Sequence, residues 1–114
     1  MTTPPYSPFR RAGDLVTFSG LVGRTPEGQP GDGLESQLAL IFDQLDARLS
    51  EAGLERRHVV KVTVWLTDMA DWAAMNVPYV EYFSGGEMPT RSAVGAQLLP
   101  GYVVELEAWA HAGS

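Results

Sequence analysis

At 114 residues the chain is long enough for one hydrophobic core and too short for two. Its 45% hydrophobic and 19% charged residues fit a globular protein and argue against disorder. A formal charge of −6, from 14 acidic residues against eight basic ones, disfavours a nucleic acid or an anionic membrane surface as partner. With no cysteine there is no disulfide frame, thiolate metal site or cysteine nucleophile. The stretch Met1 to Pro5 lacks a basic segment followed by an apolar run, so a signal peptide is not expected. No uncharged apolar run is long enough to cross a membrane, and a cytoplasmic domain is the expectation.

Pro4, Pro5 and Pro8 with the Arg10-Arg11 pair make residues 1–13 an extended arm, since proline disfavours helix for itself and its predecessor. Gly13-Asp14 reads as a turn and Leu15 to Ser19 as a strand. Residues 20–33 are rich in glycine and proline and read as a loop, with room for a short strand at Leu21-Val22. Residues 34–52 carry Leu34, Leu38, Ile41, Leu45 and Leu49 at helical spacing. Asp32 before them and Gly53 after them supply capping chemistry.

His58 to Thr67 alternates as a strand, with Val60, Val62, Val64 and Leu66 on one side. A second helix is expected from Met69 or Asp71 to Phe83, with Trp72, Met75, Tyr79, Val80 and Phe83 on one face. Pro78 conflicts with it, because an interior proline costs about 3 kcal/mol. Either the helix starts late, making Pro78 a first-turn residue, or it kinks there. Arg91 then opens a strand ending near Leu98-Leu99, and Tyr102 to Ala110 forms another after the turn Leu99-Pro100-Gly101.

The order β–(β)–α–β–α–β–β predicts an α+β fold, a mixed sheet with two helices on one face. The opposite face would present Val59, Trp65, Val103 and Trp109. A face of that kind is too apolar for a monomer and points to self-association in a closed cyclic oligomer. The other way to cover it is with the arm and the 21–33 loop.

Pro5-Tyr6-Ser7, Arg11-Ala12-Gly13-Asp14, Phe18-Ser19-Gly20, Glu51-Ala52-Gly53-Leu54, Val60 to Val64 with Thr67-Asp68, Met75-Asn76, Tyr82-Phe83, Pro89-Thr90-Arg91-Ser92 and Val104 to Ala108 occur in an order that resembles the YjgF/RidA family. The same family is also called L-PSP endoribonuclease-like. No one of these pieces is specific, whereas the ordered set covers almost the whole chain. The resemblance implies a chorismate-mutase-like fold and a homotrimer whose sheets line a central barrel, with sites in clefts between subunits. It also implies hydrolysis of reactive enamines and imines, such as 2-aminoacrylate and its imine, to 2-keto acids and ammonia.

An α-imino acid carries a carboxylate beside its electrophilic carbon, and the planar, always-charged guanidinium of Arg91 matches it at two points. The resemblance gives Arg91 that role, assisted by the backbone N–H of Ala93, where many deaminating relatives have cysteine. It makes Glu105 the acid that positions the attacking water, with Glu107 a lesser candidate on the same side of the strand. Tyr6 would lie over the substrate, and Ser19 and Asn76 would donate or accept hydrogen bonds. Leu21 stands where the family often has glutamine, a departure that bears on pocket polarity. On residue chemistry alone, Arg91 could instead pair with Glu105, Glu107 or another acid, and Glu105 could be a solvated strand carboxylate.

No cofactor or metal is expected. His58 and His111 are the only histidines and are not ligand-spaced, and Lys61, the only lysine, has no Gly-rich phosphate loop after it. Two rival functions remain at this point. One is a non-catalytic trimer that binds a small carboxylate. The other is an endoribonuclease, which the acidic balance disfavours.

Overall fold

The computed structural model describes residues 3–113. Among them seven elements follow in order: β1 (Phe9–Ala12), β2 (Leu15–Val22), α1 (Gly33–Glu51), β3 (Val59–Leu66), α2 (Trp72–Tyr82), β4 (Thr90–Gly95) and β5 (Val104–His111). One five-stranded mixed sheet runs β1-β2-β5-β3-β4. Only β3 and β4 pair in parallel, joined through α2; β5 lies antiparallel between β2 and β3. The arm expected at the start contains β1, which folds back on β2 across Gly13-Asp14, with Gly13 at φ 61°.

The apolar stripe of α1 becomes the core. Leu38, Ile41, Leu45 and Leu49 are buried, and Phe42 joins them. Asp32 is the N-cap residue but makes no side-chain cap bond. The other end closes as expected: Gly53 takes φ 76°, its N–H reaches the Ser50 carbonyl, and the Leu54 N–H reaches that of Leu49. In α2, Met75 and Tyr79 are buried as expected. Val80, however, is exposed, and Tyr82 takes the inward place. Pro78 lies inside α2 rather than in its first turn. A turn of 3-10 helix, Met69–Asp71, precedes α2, capped by the Asp68 side chain accepting from the Ala70 N–H.

Two strand ends differ from the sequence pattern. β4 stops at Gly95 because its partner β3 stops at Leu66, which is the last registered pair. β5 starts at Val104, since the Tyr102 N–H is spent on the Leu99 carbonyl and the Val103 N–H on the Gln37 side chain.

Both helices cover one face of the sheet, as expected. The uncovered face is less apolar than the strand pattern suggested. A register shift between Val59 and Lys61 turns Val59 inward, and Val103 packs against the core. What remains on the open side is Trp65, Trp109 and the exposed Val94, which is registered against Trp65, among Lys61, Thr63, Ser92, Glu105 and Glu107. These pair in register as Lys61 with Trp109, Thr63 with Glu107 and Trp65 with Glu105. The Lys61 ammonium lies 4.9 Å from the Trp109 ring centroid. This face is amphipathic, so apolarity alone does not demand a partner.

Candidate functional site

The sequence candidates fall into two groups. Tyr6, Ser19 and Glu105 line one cavity of 310 Å³, with Gly20, Val22, Arg24 and Leu99. That volume is at the small end of ligand-binding pockets. β2 shifts register between Phe18 and Leu21, so Ser19 and Gly20 share a bulge on the open side. Ser19 donates its hydroxyl to the Ser7 carbonyl, which ties the segment carrying Tyr6 to the strand. Gly20 lies so close to Glu105 that a Cβ there would overlap its carboxylate. Burial, and then the neighbouring Glu107 charge, hold the Glu105 carboxyl above the ordinary glutamate range. Leu21 faces the core and does not line the cavity, so its departure from glutamine leaves the pocket walls untouched.

Arg91 forms the second group. It is registered against Val62 on the helix side of the sheet, whereas Glu105 is registered against Trp65 on the open side. The guanidinium donates from Nη1 to Asn76 Oδ1 at 2.7 Å and touches Met75 Sδ at 3.6 Å. Its Cζ sits 4.7 Å from the Tyr79 ring centroid and 5.7 Å from that of Trp72. Burial pushes the Tyr79 phenol up to about 12, so it stays neutral beneath the cation. No carboxylate pairs with Arg91 among the described residues. Asn76 is therefore occupied in orienting Arg91 and does not lie on a solvated helix face. Ala93 follows on the same side of β4, half-buried against the core.

Within one chain, then, Arg91 and Glu105 lie on opposite faces of the sheet and form no common site. What the chain offers is an oriented cation at the β4 edge that no carboxylate pairs with among the described residues, and a carboxylate with a raised proton affinity in a cavity of mixed polar and apolar lining.

Sequence reasoning missed Arg24, which enters the Glu105 cavity immediately after β2. The signal was its position: the one arginine in the Gly/Pro-rich loop, five residues beyond Ser19. A larger cleft of 550 Å³ lies by the end of α2, lined by Asp46, Arg56, Arg57, Tyr82 and Phe83 among others. None of the sequence candidates lines it. Arg56 binds Asp46 at 2.9 and 2.7 Å, and the Tyr82 hydroxyl donates to Asp46 at 2.6 Å, so these groups satisfy one another. His58 accepts the Glu55 N–H on Nδ1, and no cluster of potential metal ligands occurs among the described residues. No helix among them is long and apolar enough to cross a membrane.

Comparison with known proteins places the chain. The family described as Endoribonuclease L-PSP matches residues 1–112. A RutC family protein of Pyrococcus horikoshii is 39% identical over 111 residues, 94% of this chain and 86% of its own. RutC family protein YjgH of Escherichia coli is 34% identical over 90% of this chain and 79% of its own. YyfA of Yersinia pestis, described as a conserved Rid family protein, superposes with a TM-score of 0.91 at 29% identity, covering 96% of this chain and 90% of that one. E. coli TdcF with bound serine gives 0.89 at 30% identity, with the same coverage. By sequence across its length, and by the mixed sheet under two helices, the chain belongs to the YjgF/RidA (L-PSP) family.

Proposed function

We propose that the protein hydrolyses reactive enamine and imine intermediates, of the 2-aminoacrylate and α-imino acid type, to 2-keto acids and ammonia. The observation that carries this reading is the state of Arg91. It is held by Asn76 and two aromatic rings, and no acid among the described residues neutralises it. An arginine fixed in this way suits a carboxylate ligand, which takes two parallel N–H bonds from the fork. The Ala93 N–H would add a donor to the same carboxylate. Family membership and the serine bound to TdcF support a small amino-acid-like ligand.

The second half of the chemistry belongs to Glu105. Water adds to the imine carbon, forming the C–O bond while Glu105 takes a water proton. Glu105 passes that proton to the imine nitrogen, giving the carbinolamine, and then carries the carbinolamine's hydroxyl proton to the same nitrogen as the C–N bond breaks, the C=O bond forms and ammonia leaves. The balance is imine plus water to keto acid plus ammonia, with no redox change and no cofactor. Tyr6 and Ser19 would border the substrate from the same cavity.

Because Arg91 and Glu105 lie on opposite faces of one sheet, the reading requires two copies of the chain to build each site. We take the assembly to be a homotrimer, with the open sheet faces lining a barrel and the sites in the clefts between copies. Trp65 and Trp109 on the open face favour contact between copies. A cytoplasmic setting goes with this reading.

The test is release of ammonia or keto acid from imines generated in place by an amino-acid oxidase or a serine dehydratase. The protein should accelerate it, Arg91→Ala should abolish the acceleration, and light scattering should give a trimer mass. No acceleration with any of several imino acids, together with carboxylate binding that needs Arg91, would leave a non-catalytic binding trimer. RNA cleavage surviving both Arg91→Ala and a chelator would favour the endoribonuclease.

A further inference from the structure

Arg24 stands on a platform built from several buried contacts. Gly23 packs so tightly on α1 that a Cβ would collide with the Gln37 backbone. The fully buried Gln37 side chain donates to the carbonyls of Gly31 and Gly101 at 2.9 and 3.0 Å and accepts the Val103 N–H at 2.9 Å. The Gly31 N–H returns to the Gly23 carbonyl at 2.8 Å. These bonds join the loop after β2 to the loop before β5. At the junction, Arg24 Nε lies 3.4 Å from the Tyr102 hydroxyl, a long contact that raises the guanidinium's proton affinity further.

No carboxylate pairs with this cation among the described residues, although it shares a cavity with Glu105. The cavity therefore holds one carboxyl, Glu105, and one guanidinium, Arg24, that form no ion pair with each other. A substrate whose side chain ended in a carboxylate would meet repulsion from Glu105 and Glu107 unless a cation received it. An aliphatic side chain has no use for an arginine there.

We infer that Arg24 is a specificity-determining residue that receives the side-chain carboxylate of the substrate, so that the preferred imines are 2-imino dicarboxylic acids, derived from acidic amino acids. This rests on the deaminase reading for the identity of the reacting end, while Arg24 itself governs only the far end. Arg91 and Arg24 would then grip the two carboxylates of one molecule, with the imine carbon between them beside Glu105. The planar fork is again the chemical match.

The experiment compares imines made in place from glutamate or aspartate with those made from alanine or 2-aminobutyrate, using wild-type protein and Arg24→Met. The expected result is that the ratio of kcat/KM for dicarboxylic over aliphatic imines falls at least tenfold in Arg24→Met. A ratio unchanged within twofold overturns the inference. A parallel calorimetric titration with the unreactive keto acids 2-oxoglutarate and 2-oxobutanoate reads the same preference without catalysis. If wild type turns over no imine yet prefers 2-oxoglutarate, and Arg24→Met loses that preference, the role of Arg24 stands and the deaminase reading falls. If turnover is present and neither ratio moves, the reverse holds. Arg24 is exposed and its side chain has one long contact, so the variant should fold; its melting temperature checks this.

Discussion

The Asn76 carboxamide oxygen accepts from the Arg91 guanidinium at 2.7 Å, and this neutral partner leaves the arginine its whole charge. A carboxylate at position 76 would keep the geometry and cancel the charge. Asn76→Asp is therefore expected to lower kcat/KM for imine hydrolysis at least a hundredfold while leaving the melting temperature near that of wild type. Asn76→Ala keeps the charge and loses the orientation, and should cost about tenfold. Equal losses in the two variants would show that charge at Arg91 is not what the site uses. Arg91→Lys should fail as badly as Asn76→Asp, because a point charge cannot reproduce the planar fork.

Glu105 and Glu107 project from the same side of β5, and the second raises the proton affinity of the first. Burial contributes the larger part. If Glu105 acts as a carboxylate, activity falls as pH drops through its folded value, which lies above the ordinary glutamate range. Glu107→Gln removes the repulsion, so the acid limb of kcat/KM should move to lower pH. The sign for stability is opposite to that of a paired acid. A carboxyl raised on folding binds its proton more readily in the native state, so this group's cost to stability is largest above its folded value and is relieved below it. A pH profile that does not move in Glu107→Gln would remove Glu105 from the proton-carrying role.

Gly20 is needed for its lack of a side chain. A Cβ there would meet the far end of the Glu105 side chain rather than any backbone, so the acid can swing away without unfolding the strand. Gly20→Ala should therefore cost little stability, about 1 kcal/mol or less. It should lower kcat at least tenfold by displacing the carboxylate. Thermal melting and steady-state kinetics on the same sample separate the two effects. A large fall in melting temperature with kcat retained would place the role of Gly20 in strand packing instead.

How far the sequence could be read depended on whether a pattern was local. The stripe from Leu34 to Leu49 and the Gly53 cap lie within one element, and they gave α1 to within a residue or so of its observed bounds. Pro78 looked disruptive because propensity is local, yet α2 accommodates it by burying Met75, Tyr79 and Tyr82 around it. The inward turn of Val59 depends on a register shift against β5, a strand 45 residues later, and no alternation within β3 reports it. The same limit applies to the site. Arg91 and Glu105 were legible as candidates, but the face of each is set by long-range pairing, Arg91 by the register of β4 on β3 and Glu105 by β5 inserting between β2 and β3. Arg24 was hidden because a Gly/Pro-rich loop has no periodicity, and its position is fixed by the buried Gln37 amide.

Gln37 gives the last prediction, on stability. It is 1% exposed on the otherwise apolar face of α1, and it joins the loop after β2 to the loop before β5 through three hydrogen bonds. Replacing it with leucine keeps the bulk and leaves the Val103 N–H and the Gly31 and Gly101 carbonyls without this partner. A buried group stripped of its partner costs about 1–3 kcal/mol, so Gln37→Leu should destabilise the fold by at least that much in urea unfolding. Gln37→Glu keeps the acceptor for Val103 but turns a negative charge toward two carbonyls. It should be the worse substitution at neutral pH and recover part of the loss as the carboxyl is protonated in acid. If Gln37→Leu proved as stable as wild type, packing and the long Arg24–Tyr102 contact would have to hold the two loops together.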